Sequence, residues 1–223
     1  MEQEKEPLEV AVEWQEQADL SEKDLSGQDL TGAKLTGRRM VRTLLRKADL
    51  TGSLLVGADM SEADCADAQL TGSKLVGVNF RKGLLHRARL AGAKIVGANM
   101  ENAELPEADL TGAAILGANL ANSDLSRSTL TGAHITGSNM ANANFTGADL
   151  TGATLKQVNV AGADFTDART ADARSRQVNW TDAKVPPATL PEEIPAPPAW
   201  IPGVIAGVLL IALIVILKKH RKA

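Results

Sequence analysis

From Leu20 to Phe165 every fifth residue is apolar: thirty consecutive positions filled by eighteen Leu, four Met, three Ile, three Phe, Val160 and Cys65. An α-helix buries a stripe repeating every 3.6 residues and a strand one repeating every two, so neither puts these side chains on a common side. The chain must turn after each pentad to bring them inside. That requirement predicts an all-β solenoid.

Two places before each apolar residue the side chain is almost always small: Ala48, Ser53, Ala58, Ala63, Ala68, Ser73, Ala88 and onward to Ala163. Large inward residues alternating with small ones fill a narrow tube. A second period of twenty lies over the first, because Leu-Thr-Gly or Leu-Ala-Gly recurs from Leu30, Leu50, Leu70, Leu90, Leu110, Leu130 and Leu150. Twenty residues therefore form one coil with four distinguishable faces. The inward set includes Leu30, Leu50, Leu70, Phe80, Leu90, Met100, Leu110, Leu130, Met140 and Leu150, read as structural core. Cys65 belongs to the same series and reads as a small buried hydrophobe.

One place before the apolar residue stands Asp or Asn in many pentads, as in Ala48-Asp49-Leu50-Thr51-Gly52 and Ala118-Asn119-Leu120. In tandem, A-(D/N)-L-x-x resembles the pentapeptide-repeat family. The resemblance implies a right-handed quadrilateral β-helix with four pentads per turn. At the spacing of hydrogen-bonded strands, residues 18–184 would make about seven to eight coils and a rod of about 35 Å.

Gly fills the second place after the apolar residue on two faces, Gly32 through Gly152 and Gly37 through Gly137, which suits a turn with positive φ there. On the other two faces the same place holds Arg42, Glu62, Lys82, Asn102 and Asn122, or Lys47, Asp67, Arg87, Glu107 and Arg127. Those residue types predict turns with negative φ, and Pro106 fits the second position of one. Lys23, Gln28 and Arg38 stand in small-residue places, making the first coils the least regular. The acidic segment 1–17, with Val10, Val12 and Trp14, reads as an N-terminal cap, and Trp180 as a cap at the other end.

Residues 185–199 contain six prolines and read as a semi-rigid linker outside the ladder. Residues 200–217 then carry no charge, and as a helix would span about 27 Å, near the hydrocarbon thickness of a bilayer. This predicts one transmembrane α-helix from Trp200 and Ile201 to Leu217, followed by a basic tail, 218–223, beginning Lys218-Lys219. The basic tail argues for a cytosolic C-terminus with the repeats across the membrane. The acidic N-terminus, which lacks an apolar export signal, argues instead for a tail anchor with the repeats cytosolic, and this topology is favoured.

No nucleophile elbow, phosphate loop or metal-ligand spacing accompanies the repeats, and His86, His134 and His220 are far apart in the chain. A non-enzymatic protein is expected, with no cofactor or metal. Arg38, Arg39, Arg42, Arg46, Lys47, Lys74 and Lys94 form the candidate interaction surface, for a protein partner or acidic lipid. The row Asn79, Asn99, Asn119, Asn139 and Asn159 reads as a stacked amide ladder serving the fold. The Thr rows are not repeated in two dimensions, against a lattice-binding role. Gyrase-protecting members of the family are regarded as mimics of duplex DNA, which demands a strongly negative rod. Residues 18–184 hold nineteen Lys/Arg and nineteen Asp/Glu, so that function and nucleic-acid binding are disfavoured. A membrane-tethered scaffold is the reading the sequence favours.

Overall fold

The computed structural model describes residues 18–195. Within them the chain winds as a solenoid in which each residue preceding an interior side chain bridges, in parallel, the residue twenty positions on. Four columns of bridges result, one per face. Face A runs Asp19, Arg39, Asp59, Asn79, Asn99, Asn119, Asn139 and Asn159; face B runs Asp24, Leu44, Asp64, Leu84, Glu104, Asp124, Asn144, Asp164 and Val185. Face C runs from Asp29 through Asp49, Gln69, Arg89, Asp109, Thr129 and Asp149 to Arg169. Face D begins as bridges at Lys34 and Leu54 and widens into three-residue strands. These are β1 (Lys74–Val76), β2 (Lys94–Val96), β3 (Ala114–Leu116), β4 (His134–Thr136), β5 (Thr154–Lys156) and β6 (Arg174–Arg176), closed by β7 (Glu192–Glu193). The seven form one parallel sheet in sequence order.

The tube is filled as two interleaved sizes of side chain. Leu50, Leu70, Leu90, Leu110 and Leu130 stack along face C at 0 % exposure, with Phe80, Met100 and Met140 equally buried on face A. Between them, Ala48, Ala63, Ala68, Ala88 and Ala108 are also at 0 %. Phe145 and Phe165, one coil apart on face B, stack with centroids 4.8 Å apart and planes at 1°, the separation of hydrogen-bonded strands. Trp180 closes this column edge-on to Phe165, 5.4 Å away at 72°. Its indole N–H donates to Ser175 Oγ at 3.3 Å.

Every turn, on all four faces, has positive φ at the second place after the interior residue. Half the places from Glu22 to Gln177 are Gly; the others are residues such as Arg42 (φ 55°), Lys47 (58°), Glu62 (59°) and Arg127 (56°). The negative-φ turns expected from those residue types are therefore not formed. The reason is the ladder: the N–H of this residue donates to the coil below, as Arg42 N to Ser61 O at 3.0 Å and Lys47 N to Ala66 O at 2.9 Å. Repetition of that bond holds the left-handed conformation at a local cost of about 1–2 kcal/mol per non-glycine residue. Pro106 sits one place earlier, where a fixed negative φ is wanted, and Glu107 (φ 60°) follows it.

The described part of the proline-rich stretch, residues 185–195, also differs from the sequence reading of 185–199 as a semi-rigid linker outside the ladder. Val185 bridges Asp164, and Phe165 N donates to Val185 O at 2.8 Å. Glu192–Glu193 then pair with Arg174–Ser175, while Pro187 and Pro191 are buried. Prolines cannot donate to a ladder, and here the residues that pair, Val185 and Glu192, lie on either side of Pro186, Pro187 and Pro191. The polar interior residue Thr170 donates its hydroxyl to Thr189 O in this segment. The folded unit thus ends at Glu193, and a second unit begins at Ile194. Among the described residues no helix is long and apolar enough to cross a membrane; the expected cap 1–17, transmembrane helix 200–217 and basic tail 218–223 lie outside them.

Two consequences are measurable by denaturant unfolding. Gly112→Ala introduces a methyl group into open space at φ 62° and should cost about 1 kcal/mol through backbone conformation alone. Gly162→Ala meets the Asn142 side chain, which donates to Asn122, and should cost clearly more. In the opposite direction, Ser53 Oγ and Ser73 Oγ are buried with no hydrogen-bond partner. Ser53→Ala with Ser73→Ala should therefore stabilise the protein by about 1–3 kcal/mol.

Candidate interaction surface

Each pentad has five backbone N–H groups, and on faces A, B and C the ladder and the turn satisfy four. In the first pentad Leu20 N donates to Arg39 O (2.6 Å), Glu22 N to Val41 O (2.9 Å) and Lys23 N to Leu20 O (3.2 Å). In the next coil, Leu44 N donates to Lys23 O at 2.9 Å. The N–H just after the interior residue is left over, and the Asp or Asn two places earlier takes it. Ser21 N donates to Asp19 Oδ1 at 2.9 Å, Thr51 N to Asp49 at 2.9 Å, Glu101 N to Asn99 at 3.2 Å and Thr166 N to Asp164 at 3.0 Å. The frequent acidic or amide residue is thus a backbone acceptor, and its column is fixed by the fold. On face A the amides also bond one another: Asn79 donates to Asp59 at 2.9 Å, Asn139 to Asn119 at 3.2 Å and Asn159 to Asn139 at 3.0 Å.

Many cations of faces A to C and their corners are likewise paired with a carboxylate on an adjoining coil, although Lys23, Lys47, Lys82 and Arg89 form no ion pair among the described residues. Arg39 lies 3.8 Å from Asp19, Arg42 pairs with Glu22, and Arg46 Nε is 2.5 Å from Asp64, whose side chain is only 8 % exposed. Arg87 pairs with Asp67 at 2.7 Å, Arg127 with Glu107 at 3.0 Å and Lys184 with Asp164 at 3.2 Å. The run Arg38 to Lys47 is thus part of one coil, set between Asp19 and Glu22 on one side and Asp64 and Asp67 on the other. Those seven sequence-selected residues do not form one patch. Arg39 lies on face A, Arg42 at the corner after it, and Arg46 and Lys47 at the corner between faces B and C. Arg38 is half-buried at the corner joining face D to face A. Lys74 and Lys94 stand apart, side by side on adjacent strands of face D.

Face D obeys a different rule. Its strands include the residue after the interior position, with Val76 in register with Val96 and Val96 with Leu116. From Val96 onward the left-over N–H therefore enters the sheet, and no Asp or Asn is needed there. The positions this frees hold Lys34, Leu54, Lys74, Lys94, Ala114, His134, Thr154 and Arg174, with Val56, Val76, Val96, Leu116 and Lys156 in the row beside them. From Lys34 to Arg176 the face carries no carboxylate, although nineteen are present in residues 18–184. Among the described residues Lys34, Lys74 and Lys94 are exposed and make no ion pair, whereas Arg174 lies 3.6 Å from Glu192. Val56 and Leu116 are 37 % and 40 % exposed.

A family model described as pentapeptide repeats matches residues 16–46, 43–81, 84–120, 117–147 and 130–167. The chain belongs to the pentapeptide-repeat family. Among solved structures it is similar to a trypsin-treated form of QnrB1, a plasmid-mediated fluoroquinolone resistance protein, at 14 % identity, over 79 % of this chain and 89 % of that one, with a TM-score of 0.69. It also matches HetL from the cyanobacterium Nostoc sp. strain PCC 7120, involved in heterocyst differentiation regulation, at 28 % identity over 77 % of this chain and 89 % of that one, with a TM-score of 0.42. No curated protein matches the chain by sequence. At these levels the QnrB1 likeness speaks for the shared β-helix. Members of the family serve in general as structural or interaction modules.

The carboxylate acceptors give the fold an acid limit. Hydrogen bonds from the hydroxyl and N–H of Ser21, Ser26, Thr31 and Thr166 hold Asp19, Asp24, Asp29 and Asp164 below the usual carboxylate range, and the Arg87 guanidinium does the same for Asp67. Burial opposes this at Asp149, but the bonds from Thr151 and Arg169 outweigh it. Because these native values lie below the unfolded ones, the stability they contribute is present above about pH 4 and lost as pH falls through the native range. The denaturation midpoint should stay level between about pH 7 and 5 and fall below about pH 4. Asn119→Ala, which orphans a backbone N–H and breaks the amide ladder, should cost about 1–3 kcal/mol, against less than about 0.5 for Lys94→Ala.

Proposed function

We propose that this protein is a non-enzymatic scaffold whose β-helix presents face D to a partner, held at a membrane by residues 200–217. The observation that carries the reading is the contrast between faces. On A, B and C many outward polar groups are engaged by the molecule's own backbone or by charges on adjoining coils, whereas Lys34, Lys74, Lys94 and Lys156 of face D form no ion pair among the described residues and lie beside an apolar strip. The rigidity of a stacked ladder suits presentation better than chemistry. The tether is supported by the uncharged run of eighteen residues from Trp200 to Leu217 and the basic residues after it. A tail-anchored arrangement with the repeats in the cytosol fits the acidic N-terminal segment.

Deleting residues 200–223 should move the protein from the membrane pellet to the soluble fraction, and continued sedimentation with membranes would remove the tether from this account. Protease treatment of sealed membranes bearing the protein tagged at both ends should digest the N-terminal tag; its protection would reverse the topology.

A gyrase-directed role, suggested by the fold shared with a fluoroquinolone resistance protein, is the second reading. Its difficulty is charge: a β-helix with equal numbers of cations and carboxylates, alternating in sign from coil to coil, does not reproduce the field of a polyanion. The purified protein should leave quinolone-induced DNA cleavage by gyrase unchanged.

A further inference from the structure

The short stretch of chain between the fold and the proposed anchor bears on the kind of partner. The last paired residues, Glu192–Glu193, are the terminal strand of face D itself. Six residues, 194–199, then separate the fold from Trp200, a span of at most about 20 Å. With the pairing of Val185 and Glu192 to the coils before them, the proline segment no longer supplies a long spacer. An anchor in residues 200–217 would therefore keep the fold close to a lipid surface.

The chemistry of the face fits that surface. Lys34, Lys74, Lys94, Lys156, Arg174 and Arg176 are spread along it without an acidic residue between Lys34 and Arg176, and only Arg174 is paired among the described residues. Between them runs an apolar strip on successive coils, Val56, Val76, Val96 and Leu116, with Leu54 and Ala114 beside it. A flat sheet with aliphatic side chains along its middle and long cationic side chains around them offers methyl groups to the acyl boundary and ammonium groups to phosphates. A lipid surface would meet both the cations and the aliphatic strip between them, whereas a compact acidic protein would match the cations alone.

We propose that face D docks the β-helix onto an anionic lipid surface. The proposal deepens the tether reading and depends on it for the local supply of lipid. Each basic side chain near an anionic surface contributes about fivefold to partitioning.

The test is thiol labelling of the full chain on vesicles. The native thiol, Cys65, is fully buried and burial pushes its pKa up, so it is silent toward maleimides. Val96→Cys, and independently Lys94→Cys, report on face D; Thr166→Cys reports on face B. With vesicles of phosphatidylcholine and phosphatidylserine both face D thiols should label slowly while Thr166→Cys labels freely, and with phosphatidylcholine alone all three should label freely. Lys34→Glu, Lys74→Glu and Lys156→Glu together, in the Val96→Cys background, should abolish protection, because three lost contacts correspond to about a hundredfold in partitioning. Equal labelling of the two faces on anionic vesicles overturns the docking proposal, even where sedimentation shows the anchor inserted. Failure to sediment with either vesicle overturns the tether, and equal labelling in that case overturns docking as well. Protection by soluble polyglutamate but not by anionic vesicles would assign the face to an acidic protein and overturn the lipid proposal.

Discussion

The backbone N–H that follows each interior residue governs the rest of the molecule. In a parallel solenoid with a turn every five residues, the ladder and the turn together reach four of the five donors in a pentad, and a buried or half-buried donor left unpaired costs free energy comparable to a lost hydrogen bond. Three faces solve this with a side chain. Asp19 accepts from Ser21, Asn99 from Glu101, Asp164 from Thr166, and repetition of the solution writes Asp and Asn into the sequence at intervals of five. The fourth face solves it with backbone, by lengthening the strand. Composition follows from that division. Where a side chain must accept, the outward column is drawn toward acids and amides; where the sheet accepts, it is free to be Lys, Leu, Ala or His.

The second constraint is that neighbours in space are separated by about twenty residues in sequence. Charges close together in the chain point around the coil in different directions, while charges one coil apart stack at strand spacing. Lys47, Asp67, Arg87, Glu107 and Arg127 stand in one column and alternate in sign, as do Glu22, Arg42, Glu62 and Lys82. Each exposed pair contributes at most about 1 kcal/mol. A column of them does more for register than for stability, because slipping a coil by one pentad would set like charges and mismatched faces against each other.

These two constraints decide what is legible in the sequence. The thirty apolar positions, the small residues between them and the twenty-residue period carry the coil, its four faces and the buried set, since burial in a tube depends on size and spacing alone. The turns at Arg42, Glu62 and Arg127 depart from the sequence expectation because side-chain preference for negative φ is a local property, whereas the conformation is held by hydrogen bonds to the next coil. The linker departs from it for a related reason: six prolines argue against pairing residue by residue, yet two non-proline residues, Val185 and Glu192, suffice to attach the segment. The interaction surface is legible only in part. Lys74 and Lys94 stand out as cations, but nothing in the chain distinguishes them from Arg42 or Arg46 until the carboxylates one coil away are placed in space.

A quantity balanced over the whole domain can still be unbalanced on one side of it. Nineteen cations and nineteen carboxylates sum to zero between residues 18 and 184, and that sum disfavours mimicry of a polyanion. The same sum conceals a directional charge, because the Asp acceptors frequent on three faces are not needed on the fourth, where the strands take up the N–H. The carboxylates pair many of the cations beside them, while Lys34, Lys74, Lys94 and Lys156 on face D have no acidic neighbour on their own face. The asymmetry between face D and the other three is therefore a consequence of how one N–H per pentad is satisfied.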